Sequence, residues 1–506
     1  MKYRYIVLIK ILILCIVHFK SYAQTIDTSY TLNSIYSLNR NVMYLDDKVI
    51  VIGVGEYYIH EPQHKINIYL QEIDTCAVVN NYKTITSDIN QFYLHNAKKI
   101  DDNLILGFGA ITDTIYSEFN SDFAAVYFID STLDTIKTIR YTAGSADAFN
   151  NGIILNNGNI IAVGRGHNIS GVTNTDALVV CFDSTGVELW HRYYGGTSIE
   201  MFTDIVEVAG GYIISGNKED CPFLSLPTFY RDGLYLMKID SLGNVLWSQC
   251  FSPINTLDNE LHLLSDGNVM ISYIYMYEPL DLLLTPMIEQ YPSIAFRKIN
   301  SATGALISEH VEPIDSLFAH EILNSRMLDD GGYITCGLVH QAINHLEKFG
   351  LLIRSDSLGH TIWQKAYLHY PDRYNWLWDV CPREGGGYWA VGSSYINDTT
   401  QSFWTIAVDE NGDLLPACTD TSTIRVIELP LISSPILYPN ITMDYISIES
   451  PEEQLSIAIY DAQGRLCHSQ AYSKGERIAT HTLSTGNYIL HARADKRHYI
   501  AKFVKQ

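Results

Sequence analysis

The stretch DALVVCFDSTGVELWHRYYGG, residues 176–196, holds two apolar runs on either side of a short polar turn. Both runs are rich in β-branched and aromatic residues, which favour strands. Asp183 opens the turn, where its side chain can cap backbone amides, and Gly186 follows three residues later, where a positive φ is needed. The stretch therefore predicts a β-hairpin.

The same hairpin returns along the chain. Close copies are DGLYLMKIDSLGNVLWSQCF at 232–251 and GLLIRSDSLGHTIWQKAY at 350–367, and looser copies begin at positions 66, 123, 294 and 403. Each copy has one residue that opens its turn, 53 to 60 positions after the previous one: Asp74, Asp130, Asp183, Asp240, Asn300, Asp356 and Asp409. A period of this length indicates a repeat architecture of seven units.

A second hairpin precedes each of these, as in FTDIVEVAGGYIISG at 202–216 and LWDVCPREGGGYWAVG at 377–392. Each unit then has four short antiparallel strands, and seven such units favour an all-β fold, a seven-bladed β-propeller over residues 24–416. A flat β-solenoid is the alternative, although its repeats are usually shorter and parallel. Trp190, Trp247 and Trp363 lie on outgoing strands and are expected to pack between neighbouring sheets.

The seventh unit lacks a good fourth strand, because Pro416 and polar residues follow its third. We expect the segment TIDTSYTLN, residues 25–33, to pair with the strand Phe403–Asp409 and complete that unit. The segment Ile424–Leu429 is the rival for this place.

The N-terminus has the order of features of a secretory signal. Lys2 and Arg4 precede an apolar run over residues 11–19, and small residues lie at Ser21 and Ala23. We expect residues 1–23 to be removed between Ala23 and Gln24, leaving a chain that does not insert into a membrane.

Composition excludes several classes of partner and site. The net charge of −22 makes nucleic acid and anionic membrane surfaces poor partners. No Cys-x-x-Cys pair occurs, so zinc and redox motifs have no support. We expect mostly buried single thiols, although export would permit a bridge such as Cys221–Cys250.

The search for catalytic motifs gives no metal ligand, no cofactor site and no catalytic residue. HEPQH at 60–64 matches a zinc-protease pattern, but Pro62 is incompatible with the helix that the pattern needs. The acidic stretch DENGD at 409–413 is explained as a hairpin turn. Enzymes on this scaffold need carboxylates, His or Arg converging near the axis, and charges at equivalent positions of the units follow no shared pattern.

Loops are then the place for function. The insert NKEDCPFLSLPTFYRDG at 217–233 contributes Tyr230 and Arg231, and HYPDRYNWLWD at 369–379 contributes Arg373, Tyr374 and Trp376. These side chains are candidate ligands of an extracellular glycan, peptide or protein. The leading hypothesis is a secreted binding module, more probable than an enzyme; the alternative is a hydrolase or lyase acting on extracellular polymers.

Beyond a proline-bracketed linker at 417–435, short alternating strands predict a small β-sandwich at 436–506. Its signals occur in a fixed order: Tyr438, Pro439, Asn440, Asp444, Gly464, Arg465, Gly486, Tyr488 and Lys502. This order resembles the C-terminal sorting domain of type IX secretion cargo, from which it departs at Ile441, where the family usually has proline. The repeats themselves resemble those of secreted Bacteroidetes propellers.

The resemblance implies recognition by secretion machinery in the outer membrane and a final location at the cell surface or outside the cell. It also explains why a separate module follows the linker. Tyr488 is expected in the core of the module, and Gly464 and Gly486 are expected in turns.

Overall fold

The computed structural model describes residues 27–30, 36–45, 48–60, 63–87, 91–112, 123–167, 175–196, 198–219, 221, 233–251, 259–277, 291–312, 318–341, 344–371, 373–397, 400–415, 425–428, 431–433, 436–438, 441–449, 453–461, 465–494 and 497–506. Within these ranges the regular elements are all β-strands. The chain divides into two units, of which the first contains the repeats and the second contains residues 428–506.

The first described strand is β1 (Asp27–Tyr30). Four-stranded antiparallel sheets then follow one another along the chain. Sheet 1 is formed by β2 (Tyr36–Leu45), β3 (Lys48–His60), β4 (Gln63–Ile73) and β5 (Val79–Ile85). Sheet 2 is formed by β6 (Gln91–Asp101), β7 (Leu104–Thr112), β8 (Phe123–Asp130) and β9 (Thr135–Tyr141). Sheet 3 is formed by β10 (Ser145–Ile154), β11 (Ile160–His167), β12 (Asp176–Phe182) and β13 (Glu188–Tyr194).

The next three sheets repeat the order. Sheet 4 is formed by β14 (Glu200–Val208), β15 (Gly211–Lys218), β16 (Gly233–Ile239) and β17 (Val245–Phe251). Sheet 5 is formed by β18 (Asn259–Leu263), β19 (Val269–Tyr277), β20 (Tyr291–Ile299) and β21 (Leu306–Val311). Sheet 6 is formed by β22 (Phe318–Met327), β23 (Tyr333–Gln341), β24 (Asn344–Ser355) and β25 (Thr361–Leu368).

Sheet 7 combines the two ends of the repeat unit. It is formed by β26 (Asn375–Pro382), β27 (Tyr388–Tyr395), β28 (Gln401–Val408) and β1. β1 pairs antiparallel with β28, with Asp27 opposite Ile406 and Tyr30 opposite Phe403. The strand β29 (Arg425–Glu428), within the rival segment, lies beside β25 at the edge of sheet 6 instead.

The turn between the third and fourth strands has the capping geometry that the sequence predicts. In sheet 3, Asp183 Oδ1 accepts hydrogen bonds from the backbone N–H groups of Thr185 at 2.8 Å and Val187 at 2.9 Å. Gly186 has a φ of 80°. In sheets 1 and 2 the equivalent positions are Ala77 and Leu133, which adopt positive φ without being glycine.

A β-bulge bends the first strand of six sheets, at Arg40, His95, Asn150, Thr203, Leu323 and Trp378. The second strand has glycine opposite the residue before each bulge. A Cβ added to Gly216 would lie 2.0 Å from Met201 O, and one added to Gly392 would lie 1.9 Å from Trp376 O. In sheet 5, Tyr273 takes the place of the glycine, and it pairs with Asn259 without a register shift.

Apolar residues form cores between successive sheets. One cluster joins Ile52 and Leu70 of sheet 1 to Tyr127 of sheet 2, and similar clusters join sheets 2 and 3, 3 and 4, 4 and 5, and 6 and 7. Sheets 5 and 6 meet where Phe296 packs against Tyr333, with ring centroids 4.8 Å apart. A further cluster joins sheet 7 to sheet 1, so the last sheet packs against the first.

The outer tryptophans pack against the next sheet, as expected. An added Cβ on Gly243, in the turn of sheet 4, would lie 2.9 Å from Cζ3 of Trp190 in sheet 3. A Cβ added to Gly304 would likewise contact the ring of Trp247, and one added to Gly412 would contact the ring of Trp363. In these three turns the glycine therefore makes room for a tryptophan ring from the preceding sheet.

The cysteines show both expected states. Cys221 and Cys250 form a disulfide within sheet 4, and Cys76 is also disulfide-bonded. Cys181 and Cys381 are buried thiols, and loss of hydration raises the pKa of Cys181 to about 11 and that of Cys381 to about 12.

The second unit contains two sheets. The larger is formed by β30 (Leu431–Ser433), β32 (Ile441–Thr442), β34 (Gln454–Asp461), β35 (Leu466–Ser473), β37 (Gly486–Arg493) and β38 (Arg497–Lys505). The smaller is formed by β31 (Ile436–Tyr438), β33 (Tyr445–Glu449) and β36 (Ile478–Ala479). One apolar core unites both, as in a sandwich. β30 lies within the segment predicted as linker, yet it pairs with β38.

Candidate functional site

Three aromatic side chains follow one another at the start of β26. The rings of Tyr374 and Trp376 lie 6.0 Å apart and within 10° of parallel, and Trp376 lies 6.1 Å from Trp378 at a steep angle. Alternate residues of a strand point to the same side, which brings Tyr374 and Trp376 together. We call the three rings the aromatic ladder. All three side chains are partly exposed.

A buried asparagine fixes the backbone at the start of the ladder. Asn375 Oδ1 accepts hydrogen bonds from the backbone N–H groups of His369 and Tyr370. Its Nδ2 donates to the carbonyl oxygens of Lys348, Tyr370 and Arg373, at 3.0 to 3.1 Å. The segment before β26 is thus held in place before any ligand arrives, as a preorganised site requires.

One further aromatic ring and one hydrogen bond hold Tyr374 and Trp376 in position. Tyr395 lies edge-on to Tyr374 and to Trp376, 5.9 Å from each. Trp376 Nε1 donates to Ser393 Oγ, which also accepts from Gln401 Nε2 at 2.8 Å. The indole N–H of Trp378 is buried and has no hydrogen-bond partner among the described residues.

Cations lie at both ends of the ladder. The Arg40 guanidinium lies 4.5 Å from the centre of the Trp378 ring, and Lys348 Nζ lies 5.4 Å from the centre of the Tyr374 ring. Lys348 Nζ is also 3.7 Å from Glu321 Oε1. Burial alone raises the pKa of Glu321, but His340 and Lys348 outweigh that effect and bring it below its ordinary value.

The inner strands carry a second polar feature. In every sheet one residue of the first strand is Asn, Asp or Glu. It pairs with the residue that precedes the glycine of the second strand, or that precedes Tyr273 in sheet 5. These residues are Asn41, Asn96, Asn151, Asp204, Glu260, Asn324 and Asp379. We call these the axial residues. These positions share a polar character but not a charge, because four of the seven are asparagines. The pattern is hard to recognise in the sequence, because the bulge adds one residue to the first strand and so changes the alternation of its side chains.

Two axial aspartates tie neighbouring sheets together. Asp204 Oδ2 accepts from the backbone N–H of Leu261 in sheet 5, and its Oδ1 accepts from Asn151 Nδ2 in sheet 3, both at 2.8 Å. Asp379 Oδ2 accepts from the backbone N–H of Val42 in sheet 1 at 2.8 Å. Each also binds a cation from another sheet. Lys98 Nζ lies 3.2 Å from Asp204 Oδ1, and Arg326 Nη2 lies 2.7 Å from Asp379 Oδ2.

Glu260 is an axial residue with a perturbed pKa. Loss of hydration is the first cause that raises its pKa well above the ordinary value, and the charge of Asp204 adds to it. Burial likewise lowers the pKa of His95 to about 4, and a neutral imidazole donates from Nδ1 to Phe149 O at 2.9 Å. About a third of the Lys98 and Arg326 side chains is exposed, so the cluster borders solvent.

Three of the five residues predicted to bind ligand lie together. Arg373 immediately precedes Tyr374 and Trp376 of the ladder, whereas Tyr230 and Arg231 lie outside the described residues. Sequence reasoning missed Trp378, although the alternation in YNWLW extends to it. It also missed Arg40 and Lys348, which come from sheets 1 and 6 and have no local signal. Among the described residues no cluster of His, Cys, Asp and Glu is arranged to hold a metal ion.

The motif HEPQH includes residues of two antiparallel strands. His60 ends β3 and His64 lies in β4, so the two histidines belong to strands and not to the helix that the zinc-protease pattern needs. The stretch DENGD forms the turn of sheet 7, where Asp409 Oδ1 accepts from the backbone N–H groups of Asn411 and Asp413. Asp413 itself pairs with Lys365 at 2.7 Å.

The sorting residues fall in and between strands of the second unit. Tyr438 ends β31, Lys502 lies in β38, and Asp444 O accepts from Thr480 N at 2.7 Å. Arg465 Nε donates to Asp461 Oδ2 at 2.7 Å. Pro439, Asn440 and Gly464 lie outside the described residues, as do Ala23 and Gln24 at the expected cleavage point.

Tyr488 is buried, as expected, and stacks on Phe503 with centroids 5.5 Å apart. Gly486 begins β37 instead of lying in a turn. No helix in the described part of the chain combines the length and apolar character needed to cross a bilayer.

Solved structures resemble the chain only distantly. An ulvan lyase of polysaccharide lyase family PL25 has a TM-score of 0.44 and 11% identity, over 76% of this chain and 97% of the lyase. The same lyase bound to -[GlcA(1-4)Rha3S]- has 9% identity at the same TM-score. Prolyl oligopeptidase B from Galerina marginata has a TM-score of 0.39 and 8% identity, over 90% of this chain and 55% of that enzyme. At this level of similarity neither activity transfers to this chain.

No curated protein matches the chain. Residues 436–506 match the family described as the secretion system C-terminal sorting domain. The matched range contains all nine sorting residues and both sheets of the second unit apart from β30. These residues are therefore the sorting domain of a type IX secretion cargo, and the protein is exported by that system to the cell surface or the extracellular space.

Proposed function

We propose that the repeats form a closed seven-bladed β-propeller that acts as a secreted carbohydrate-binding module, with the aromatic ladder as its binding site. Closure is supported by the core that joins sheets 7 and 1 and by the pairing of β1 with β28. It is also supported by the axial bond from Asp379 to the Val42 N–H, which links the last sheet to the first.

The observation that carries the proposed site is a row of three partly exposed rings on a preorganised strand. Large aromatic faces in water are costly unless something covers them. Sugar rings present apolar C–H faces that pack on aromatic rings, while their hydroxyl groups bond to polar neighbours. Tyr374, Trp376 and Trp378 are three partly exposed rings in succession, which suits an extended chain of sugar units.

The test is binding of the mature full-length protein to an array of polysaccharides and peptides, followed by titration of each hit. Trp376→Ala should reduce affinity for the hit by about tenfold or more, because stacked aromatic anchors dominate such sites. Tyr82→Ala provides the control. Tyr82 is 57% exposed on the outer strand of sheet 1 and lies in another sheet from the ladder.

Two results would count against this function. Binding of peptides but of no carbohydrate would assign the ladder to a protein partner. Carbohydrate binding that Trp376→Ala leaves unchanged while the variant keeps its thermal midpoint would move the site elsewhere on the molecule.

A hydrolase or lyase acting on extracellular polymers is the second candidate. It is favoured by one observation, the hydrogen-bonded pair of Asp204 and Glu260 beside Lys98, in which burial and the charge of Asp204 raise the pKa of Glu260 well above its ordinary value. Such a pair can serve as acid and base. Incubation of each array hit with the protein, followed by sizing of the polymer, should release fragments that Glu260→Gln abolishes. Intact polymer after prolonged incubation would exclude this candidate for that hit.

A further inference from the structure

The charges around the aromatic ladder differ in sign from those of the chain as a whole. The protein has 56 acidic and 34 basic residues. Yet Arg40 and Lys348 cap the two ends of the ladder, and Arg373 is next to Tyr374. Glu321 is the carboxylate that contacts Lys348, and Asp379 is paired with Arg326. The ladder is therefore a locally cationic place on an acidic molecule.

The positions of these cations are set by the fold. Lys348 belongs to sheet 6, and its backbone N–H donates to Arg373 O at 3.2 Å, which brings it to the first ring of the ladder. Arg40 is the bulged residue of sheet 1, and the bulge directs it across to Trp378 in sheet 7. Three sheets thus contribute to one site. A charged side chain that served only to keep the surface solvated would not have to be held beside these rings.

We propose that the ligand is a polysaccharide carrying carboxylate or sulfate groups, with its sugar rings on the ladder and its anionic groups at Arg40 and Lys348. The inference rests on the proposed carbohydrate site. An acidic protein repels a polyanion at long range, so close cations are required where such a polymer binds. Charge-assisted bonds to these cations would add to the stacking and set which sugars are accepted.

The test uses matched polymers that differ in charge alone. One pair is polygalacturonate and the same polymer after its carboxyl groups have been reduced to alcohols. The other pair is dextran sulfate and dextran. With the mature protein at constant ionic strength, the charged member of at least one pair should bind about tenfold or more tightly than its neutral partner. The pair that shows this preference identifies the anionic group.

The variants assign the preference to the ladder. Lys348→Gln should lower the affinity for the charged polymer about tenfold more than the affinity for the neutral one, and Lys348→Arg should restore the preference. Lys137→Gln is the matched control, because Lys137 also lies over an aromatic ring, that of Phe128, but in sheet 2. Thermal midpoints of all variants show whether they fold.

Equal affinity for both members of each pair would overturn this inference and leave the proposed carbohydrate site standing. The inference would also be overturned, and the proposed carbohydrate site would also stand, if none of the four polymers bound while neutral glycans on the array did. A charge preference that survives Lys348→Gln and Arg40→Gln in folded protein would place the anionic group away from the ladder and equally overturn it.

Discussion

Gly216 shows how one residue determines the geometry of a whole sheet. Its hydrogen occupies the space where a side chain would meet Met201 O, and this close approach permits the bulge at Thr203. The bulge in turn places Asp204 where it bonds to both neighbouring sheets. Where Tyr273 replaces the glycine, the pairing runs through without a bulge.

Gly216→Ala should therefore destabilise the protein far more than an ordinary glycine substitution. We expect a loss of about 3 kcal/mol in the free energy of unfolding, because the new Cβ must push the backbone of β14 away. Gly267→Ala is the comparison. Gly267 has a φ of 78° with open space around it, so strain of about 1 kcal/mol is expected. Denaturant unfolding measures both, and equal losses would contradict this account of the bulge.

Glu260 predicts a pH-dependent stability. Its pKa in the folded protein is raised well above the ordinary value of 4.5, so between these values the unfolded chain holds fewer protons than the native state. The free energy of unfolding must then fall as pH rises through this window. Glu260→Gln removes that effect, and its stability relative to the parent should grow as the pH rises from about 4.5 towards the raised pKa of Glu260.

The measurement is denaturant unfolding of both proteins across the same pH series. Glu207→Gln, at an exposed position of β14, is the control for removal of one negative charge from sheet 4. A difference between parent and Glu260→Gln that stays constant with pH would show that Glu260 does not hold a proton in the folded protein.

At the scale of elements, strands and turns were accessible from the sequence because their signals are local. Asp183 and Gly186 lie within one turn, and their roles follow from backbone geometry alone. The axial residues were not accessible, because a bulge changes the period of the strand that carries them. The ladder was found in part, since Tyr374 and Trp376 are close in sequence, whereas Arg40 reaches Trp378 only through the packing of sheet 1 against sheet 7.

β1 is expected to contribute stability out of proportion to its four residues. A chain that starts at residue 31 would expose the backbone edge of β28 to solvent. We predict that the thermal midpoint falls by about 2–4 °C and that the truncated protein aggregates more readily. An unchanged midpoint in scanning calorimetry would mean that β28 does not depend on β1.

At the scale of the whole molecule, the two units should be separable. Each has its own apolar core residues, and the repeat unit ends at Ile427, within β29. Removal of residues 429–506 should leave the repeats folded, with an unfolding transition close to that of the same unit in the full chain. A truncated chain that is insoluble in every fraction would show that the sorting domain belongs to the fold of the repeats.

The same truncation tests export. Without the sorting domain, the protein should cross the inner membrane and remain soluble in the periplasm of a host that carries the type IX system. Fractionation of cells that express the full-length and truncated forms decides the matter. Equal amounts of both forms at the cell surface or in the medium would contradict the role of residues 436–506.

The pairing of β1 with β28 has a consequence for the time course of folding. Thr28 lies opposite Thr405, 377 positions later in the chain. At ordinary rates of synthesis, of about 5–20 residues per second, the first strand waits about 20 to 75 s before its partner exists. Contacts so remote in sequence form slowly, and the docking of β1 is therefore expected to be the last step. Until then sheet 7 lacks its fourth strand. Although β1 is the first strand to be synthesised, it can take its place in the sheet only after β28 has been made.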